Sequence, residues 1–128
     1  MTSRSVTALY QSGSAEYLLP TFSPAAPTRK TAMSDLISYQ LEDGIATLTL
    51  SNGKVNAISP DVIAAFNAAL DRAEQDRAIV IITGQPGILS GGYDLKVMTS
   101  GPQNAVNLVA AGSTLARRML AHPYPIIV

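Results

Sequence analysis

Residues 45–50 alternate: Ala46, Leu48 and Leu50 fall on one face, Thr47 and Thr49 on the other. A period of two marks a half-buried strand. The run Leu36–Leu41 precedes it across Glu42-Asp43-Gly44. Asp-Gly is a turn pair, so the two runs predict a β-hairpin. After a loop from Ser51 to Ile58 the period changes. Ser59 is a good helix N-cap and Pro60 suits the first helical position. Val62, Ile63, Phe66, Leu70 and Ala73 then recur at helical spacing, which predicts a helix through about Gln75. Ile79–Thr83 is a continuous apolar run and predicts a strand buried on both faces.

Gly84 to Gly92 carries four glycines and a proline and reads as a loop. Asp94 is placed to cap a short helix through Met98. A second amphipathic helix is predicted around 103–121, with Ala105, Leu108, Val109, Gly112, Leu115, Ala116, Met119 and Leu120 as its stripe. Tyr124 to Val128 begins another buried strand. Hairpin, helix, strand, helix, strand implies crossover connections on a mainly parallel core, an α/β architecture. The final strand stops without a covering element, so the segment 33–128 is expected to be a partial domain, truncated at its C-terminus.

Residues 1–32 have a different character. They hold ten Ser/Thr, three of the eight prolines, and Arg4, Arg29 and Lys30 against the single acid Glu16. Such a stretch buries little and is expected to form a disordered N-terminal extension. Ser-rich, basic, acid-poor composition also describes an organellar transit peptide. Met33-Ser34-Asp35 reads like an ordinary start, which favours an upstream extension and a cytoplasmic location.

Composition narrows the chemistry. Nine Lys+Arg balance nine Asp+Glu, and charged residues make up 14% of the 128 residues. Without a basic stripe, no nucleic-acid partner is expected. With no cysteine, disulfides, Cys-based zinc sites, iron–sulfur clusters and thiol nucleophiles drop out together. One histidine, His122, makes no metal cluster, and its place at a helix end reads as a cap or a surface imidazole. Arg117 and Arg118 close the same helix, where positive charge suits the dipole. No apolar run approaches the ~20 residues of a membrane-spanning helix.

The informative segment runs from Gly84 to Leu95. It leaves a buried strand and enters a helix, and its glycines let a ligand approach peptide groups closely. Free N–H groups there can stabilise charge on an oxygen, although many such turns are Gly-rich for geometry alone. Ser90 follows Ile88 by two positions, so the Gly-x-Ser-x-Gly nucleophile elbow does not match. Gly84, Gly87, Gly91 and Gly92 fit neither the dinucleotide-binding nor the P-loop spacing.

Ser90-Gly91-Gly92-Tyr93-Asp94-Leu95 resembles the acyl-CoA-handling signature of the crotonase (enoyl-CoA hydratase/isomerase) superfamily. Lys54-Val55-Asn56-Ala57-Ile58, Arg77 to Gly84, and His122 to Val128 are similar to that family's motifs in order and spacing. The likeness covers about residues 35–128. It implies the N-terminal part of a crotonase-like, ββα-repeat spiral fold. It also implies an acyl-CoA thioester as partner, with enoyl-CoA hydratase the favoured activity. Isomerase or other enolate chemistry, and a CoA-binding piece without turnover, are the alternatives.

By the same resemblance, the Tyr93 backbone N–H is one oxyanion donor. Lys54, Val55, Ala57, Ser90, Gly91, Gly92, Asp94 and Leu95 line the path of the CoA and its thioester, and Asp94 serves as a helix cap rather than a base. No separate cofactor is implied, because CoA enters with the substrate, and assembly into trimers or hexamers is expected. Two positions depart from the family pattern: Tyr93 stands where a small residue is common, and Gly91 where alanine is. A bulky Tyr93 leaves its own backbone donor intact and is expected to narrow the acyl pocket. The family's second oxyanion donor and its proton-handling carboxylates belong beyond the strand that opens at Pro125. Glu16, Glu42 and Glu74 do not occupy those positions, so the chain by itself is expected to be inactive.

Overall fold

The computed structural model describes residues 29–32 and 34–128. The strands are β1 (Arg29–Ala32), β2 (Ile37–Glu42), β3 (Ile45–Leu50), β4 (Ile79–Thr83) and β5 (Ile126–Ile127). The helices are α1 (Pro60–Gln75), α2 (Leu95–Met98) and α3 (Pro102–Leu120). One sheet has the order β1-β2-β3-β4-β5. The first three strands pair antiparallel, and β3-β4 and β4-β5 pair parallel. The hairpin turns on Asp43 (φ 50°) and Gly44 (φ 77°). Two successive positive φ values match the right-handed twist of the flanking strands, which is why Asp-Gly works there.

Register puts one apolar row on one face. Ile37 lies opposite Leu50, Tyr39 opposite Leu48, Leu48 beside Ile82 and Ala46 beside Val80, and all are buried. Ser38, Gln40, Thr47 and Thr49 take the other face. α1 supplies Val62, Ile63, Phe66, Ala69, Leu70 and Ala73 to the core. Its start follows the sequence signal: the Ser59 side chain accepts from the Val62 N–H at 3.2 Å, with Pro60 in the first turn.

Four expectations need correction. Residues 29–32, assigned to the extension, instead pair along β2, with Arg29 opposite Leu41 and Ala32 opposite Ser38. An open strand edge offers unpaired N–H and C=O groups that an extended segment satisfies. The disorder expected of residues 1–28 lies outside the described residues. β2 is shifted by one residue from Leu36–Leu41, because pairing runs on to Glu42 opposite Ile45. β4 is buried on one face only, through Val80 and Ile82, while Ile79 and Thr83 are exposed. A hydrophobic run cannot say by itself how many layers cover it.

The fourth correction concerns α3, which begins at Pro102 and buries only Leu108 and Leu115 fully. Val109, Ala116 and Leu120 of the expected stripe are exposed, Leu120 at 89%. The helix touches α1 and α2 along a narrow line, so residues on the flanks of the stripe have nothing to pack on. Arg118 fastens that line. Its Nη1 donates to the Asn67 carbonyl (3.0 Å) and Oδ1 (2.9 Å), and its Nη2 pairs with Asp71 on α1. β5 is reduced to two residues. Among the described residues no helix is long and apolar enough to cross a membrane.

A polar clasp closes the far end of α1. The fully buried Tyr39 donates its phenolic O–H to Asp76 Oδ2 at 2.8 Å, and the Arg72 guanidinium lies 4.6 Å over the ring. Burial first, then the hydrogen bond to Asp76, pushes the Tyr39 phenol well above the usual tyrosine range. In the unfolded chain tyrosine ionises near pH ~10. The raised folded value therefore gives stability that is fully present below that pH and is lost as pH rises above it. Tyr39→Phe is expected to cost about 1–2 kcal/mol at neutral pH. It should also flatten the fall in urea midpoint as pH rises from ~10 to ~11.5; an unchanged alkaline slope would count against the clasp.

Candidate active site

The loop 51–58 and the glycine-rich stretch 84–95, far apart in sequence, lie side by side in space. Gly91 donates its N–H to the Val55 carbonyl at 2.7 Å, and Ser90 Oγ donates to the Asn56 carbonyl at 2.8 Å. The Gly92 N–H in turn donates to Ser90 Oγ at 3.0 Å. Ile58 donates its N–H to Gly92 O, and Asp94 donates its N–H to Ile58 O, each at 2.8 Å. This is a one-residue parallel bridge between Ile58 and Tyr93. In such a pairing the bracketed residue turns its own N–H and C=O to the opposite edge. The Tyr93 N–H accordingly has no hydrogen-bond acceptor among the described residues.

Gly91 is packed as tightly as the bonds suggest. A Cβ there would lie 2.9 Å from the Val55 carbonyl oxygen and 3.3 Å from Val55 Cβ. An alanine at this position would force the two strands of the bridge apart, which gives the departure at Gly91 a physical reason. Asp94 caps α2: its Oδ1 accepts from the Lys96 N–H at 2.8 Å, as the sequence predicts.

Beneath the bridge lies an apolar cavity of about 230 Å³. Leu50 and Ile82, at or near the carboxyl ends of the parallel strands β3 and β4, meet Ser90, Tyr93, Gly112 and Leu115 around it. Crevices outside the carboxyl ends of parallel strands are where open α/β sheets bind ligands. No acid and no histidine lines the cavity. Its chemistry is therefore that of an apolar receptacle, and Tyr93, whose peptide N–H has no acceptor among the described residues, is one of its lining residues.

The expected site residues divide into two groups. Val55, Ala57, Ser90, Gly91, Gly92, Tyr93 and Asp94 lie on the two bonded segments, with Ala57 accepting from Asn52 Nδ2 at 2.7 Å. Lys54 lies in the exposed turn before Val55, and the side chain of Leu95, 76% exposed at the start of α2, faces away from the core. Ser90 lines the cavity, but its hydroxyl is already committed to two backbone groups.

Asn56 was overlooked as a site residue and holds the whole arrangement. It is fully buried at φ 50°. Its Oδ1 accepts from the Asn52 N–H (2.8 Å) and Gln85 Nε2 (3.0 Å). Its Nδ2 donates to the carbonyls of Leu50 (3.0 Å) and Leu89 (3.1 Å). Two acceptor sites and two donors exhaust an amide side chain. The readable signal is an Asn in a loop three residues after Gly53, since Asn is the residue after glycine that most readily takes positive φ.

The family model described as Enoyl-CoA hydratase/isomerase matches residues 40–128. The chain belongs to this family. Its strand and helix order is the repeat typical of the crotonase fold. A solved structure of an enoyl-CoA hydratase/isomerase family protein from Pseudomonas syringae is 82% identical, with a TM-score of 0.73 over 74% of this chain and 41% of that one. A Mycobacterium tuberculosis protein, 42% identical with a TM-score of 0.68 over 72% of this chain and 40% of that one, is described as a probable enoyl-CoA hydratase. A second structure of that protein describes it as an isomerase. The probable enoyl-CoA hydratase of Bacillus subtilis is 33% identical over 95 residues, 71% of this chain and 37% of the relative. The chain thus spans about two fifths of the length of these family members.

Proposed function

We propose that this chain contributes the thioester-binding half of an acyl-CoA enzyme in which a peptide N–H stabilises an enolate. The favoured reaction is hydration of a 2-enoyl-CoA. The observation that carries the reading is the Tyr93 N–H, unbonded among the described residues, on a residue that lines an apolar cavity. Addition or proton abstraction beside a thioester drives negative charge onto the carbonyl oxygen. A donor already held in place lowers the barrier because nothing reorganises as that charge appears. The bridge to Ile58 holds the Tyr93 peptide in place. The cavity is proposed to take the acyl group, and its apolar lining strengthens the interaction. Lys54, Val55 and Ala57, with Ser90 to Leu95, are proposed to flank the CoA on its way in. Because no acid or base lines the cavity, this part of the site binds and stabilises, and proton transfer falls to groups outside it.

A second reading is enoyl-CoA isomerisation. It is supported by a rat relative, 38% identical over 66 residues, whose name is enoyl-CoA delta isomerase 1. Both reactions pass through the same stabilised oxygen, so the proposed Tyr93 donor does not separate them. Polypeptide of natural length should bind butyryl-CoA more tightly than free CoA. It should convert crotonyl-CoA to the 3-hydroxyacyl product if a hydratase, or 3-enoyl-CoA to 2-enoyl-CoA if an isomerase. Equal affinity for CoA and its thioester, with neither conversion, would sink both readings in favour of a non-catalytic role.

A further inference from the structure

Asn52-Gly53 is the one Asn-Gly pair among the five asparagines of the chain. Asparagine before glycine is chemically self-reactive, because the glycine nitrogen carries no neighbouring side chain to keep it from the asparagine amide. The other asparagines are shielded. Asn56 is buried with its amide fully bonded. Asn67, Asn104 and Asn107 lie within α1 and α3, where the peptide nitrogen after each is tied into the helix. At Asn52 the arrangement is the reverse. Gly53 is exposed at φ 65°, and a Cβ on it would meet nothing within 4 Å. Its N–H has no acceptor among the described residues. The groups around that nitrogen are engaged instead. The Asn52 N–H donates to Asn56 Oδ1 (2.8 Å), Asn52 Nδ2 donates to the Ala57 carbonyl (2.7 Å), and the Gly53 carbonyl accepts from Gln85 Nε2 (2.9 Å). The reactive pair is thus the anchor of the loop that is bonded to Gly91.

We propose that Asn52-Gly53 is a modification site, at which spontaneous deamidation releases the loop 51–58 from its anchor. The Gly53 peptide nitrogen gives up its proton and bonds to Asn52 Cγ. The Cγ–Nδ2 bond breaks, and Nδ2 leaves as ammonia with that proton, which closes a cyclic imide. Water then adds to either imide carbonyl and opens the ring, leaving an aspartyl or isoaspartyl residue at position 52. Nothing is oxidised or reduced, and water is the only co-reactant. Either product replaces the amide donor by a carboxylate, whose oxygen faces the Ala57 carbonyl without a proton between them. The isoaspartyl form also adds a carbon to the main chain within the turn that Asn56 and Gln85 hold. Val55 and Asn56, which carry the bonds to Gly91 and Leu89, follow in the same loop. Loss of the anchor therefore loosens the contact between the loop 51–58 and the stretch 84–95.

The test incubates polypeptide of natural length at physiological temperature and mildly alkaline pH, where more of the attacking nitrogen is deprotonated. Peptide mapping by mass spectrometry follows each asparagine. Position 52 should convert about tenfold or more faster than Asn56, Asn67, Asn104 and Asn107, a barrier lower by about 1.4 kcal/mol or more. Fragmentation separates isoaspartate at position 52 from any formed at the Asp43-Gly44 turn. Gly53→Asn keeps a residue that accepts positive φ but sets a side chain beside the attacking nitrogen, so it should slow the conversion several-fold. Amide exchange at Gly91 reads the release. It should quicken in the converted fraction and in Asn52→Asp made directly. Conversion at position 52 no faster than at the helical asparagines would overturn the site. Conversion with unchanged Gly91 exchange, in the aged protein and in Asn52→Asp alike, would overturn the release. Neither measurement involves an acyl thioester, so failure here is distinct from failure of the proposed function.

Discussion

Tyr93→Pro is expected to lower kcat by about a hundredfold or more in the polypeptide of natural length, while Tyr93→Ala leaves kcat within about tenfold. The asymmetry follows from where the proposed donor resides. Alanine removes the ring but keeps the peptide N–H, which is unbonded among the described residues and fixed by the Ile58 bridge. Proline removes the N–H itself. It removes none of the bridge's own hydrogen bonds, because those run through Gly92 O, Ile58 and the Asp94 N–H. Steady-state kinetics on crotonyl-CoA, with circular dichroism to establish that each variant folds, reads the result. Loss of turnover in Tyr93→Ala beside survival in a well-folded Tyr93→Pro would make the phenol the working group instead.

Asn56→Asp is expected to be more damaging than its size suggests, destabilising the fold by about 3 kcal/mol or more. The carboxylate can still accept from Asn52 and Gln85, but it cannot donate to the carbonyls of Leu50 and Leu89. Two carbonyl oxygens then face a buried anion without a proton between them. Each unsatisfied buried group costs about 1–3 kcal/mol, and an unpaired charge more. Asn56→Ala loses all four bonds and should destabilise by a similar amount, with added strain from a methyl side chain at φ 50°. Urea unfolding gives the stability. Amide hydrogen exchange at Gly91 and Asp94 shows whether the bridge loosens with it. A loss below about 1 kcal/mol in both variants would show that Asn56 does not hold the two segments together.

Much of the fold is local in origin and was legible. The hairpin follows from alternation plus Asp43-Gly44, α1 from Ser59, Pro60 and a helical stripe, and the start of α2 from Asp94 as its cap. Each is a short-range effect in which the deciding partners lie within a few residues of one another. The family signature was legible for the same reason: glycines at fixed spacing after a buried strand are a backbone requirement written directly into residue type.

What only the tertiary structure decided is what meets what. Ile79–Thr83 reads as apolar throughout, yet one face is covered, because burial depends on which layers pack there. Val109, Ala116 and Leu120 repeat at helical spacing, yet α3 makes too narrow a contact to bury them. Arg29 to Ala32 joins the sheet because an open edge of β2 is available to it. The Asn56 amide reaches Leu89, and the Gly91 N–H reaches Val55, across loops whose course no local pattern sets. Alternation, caps and turns act between neighbours along the chain. A hydrogen-bonded hub and a bridge between two loops exist only once distant segments have been brought together.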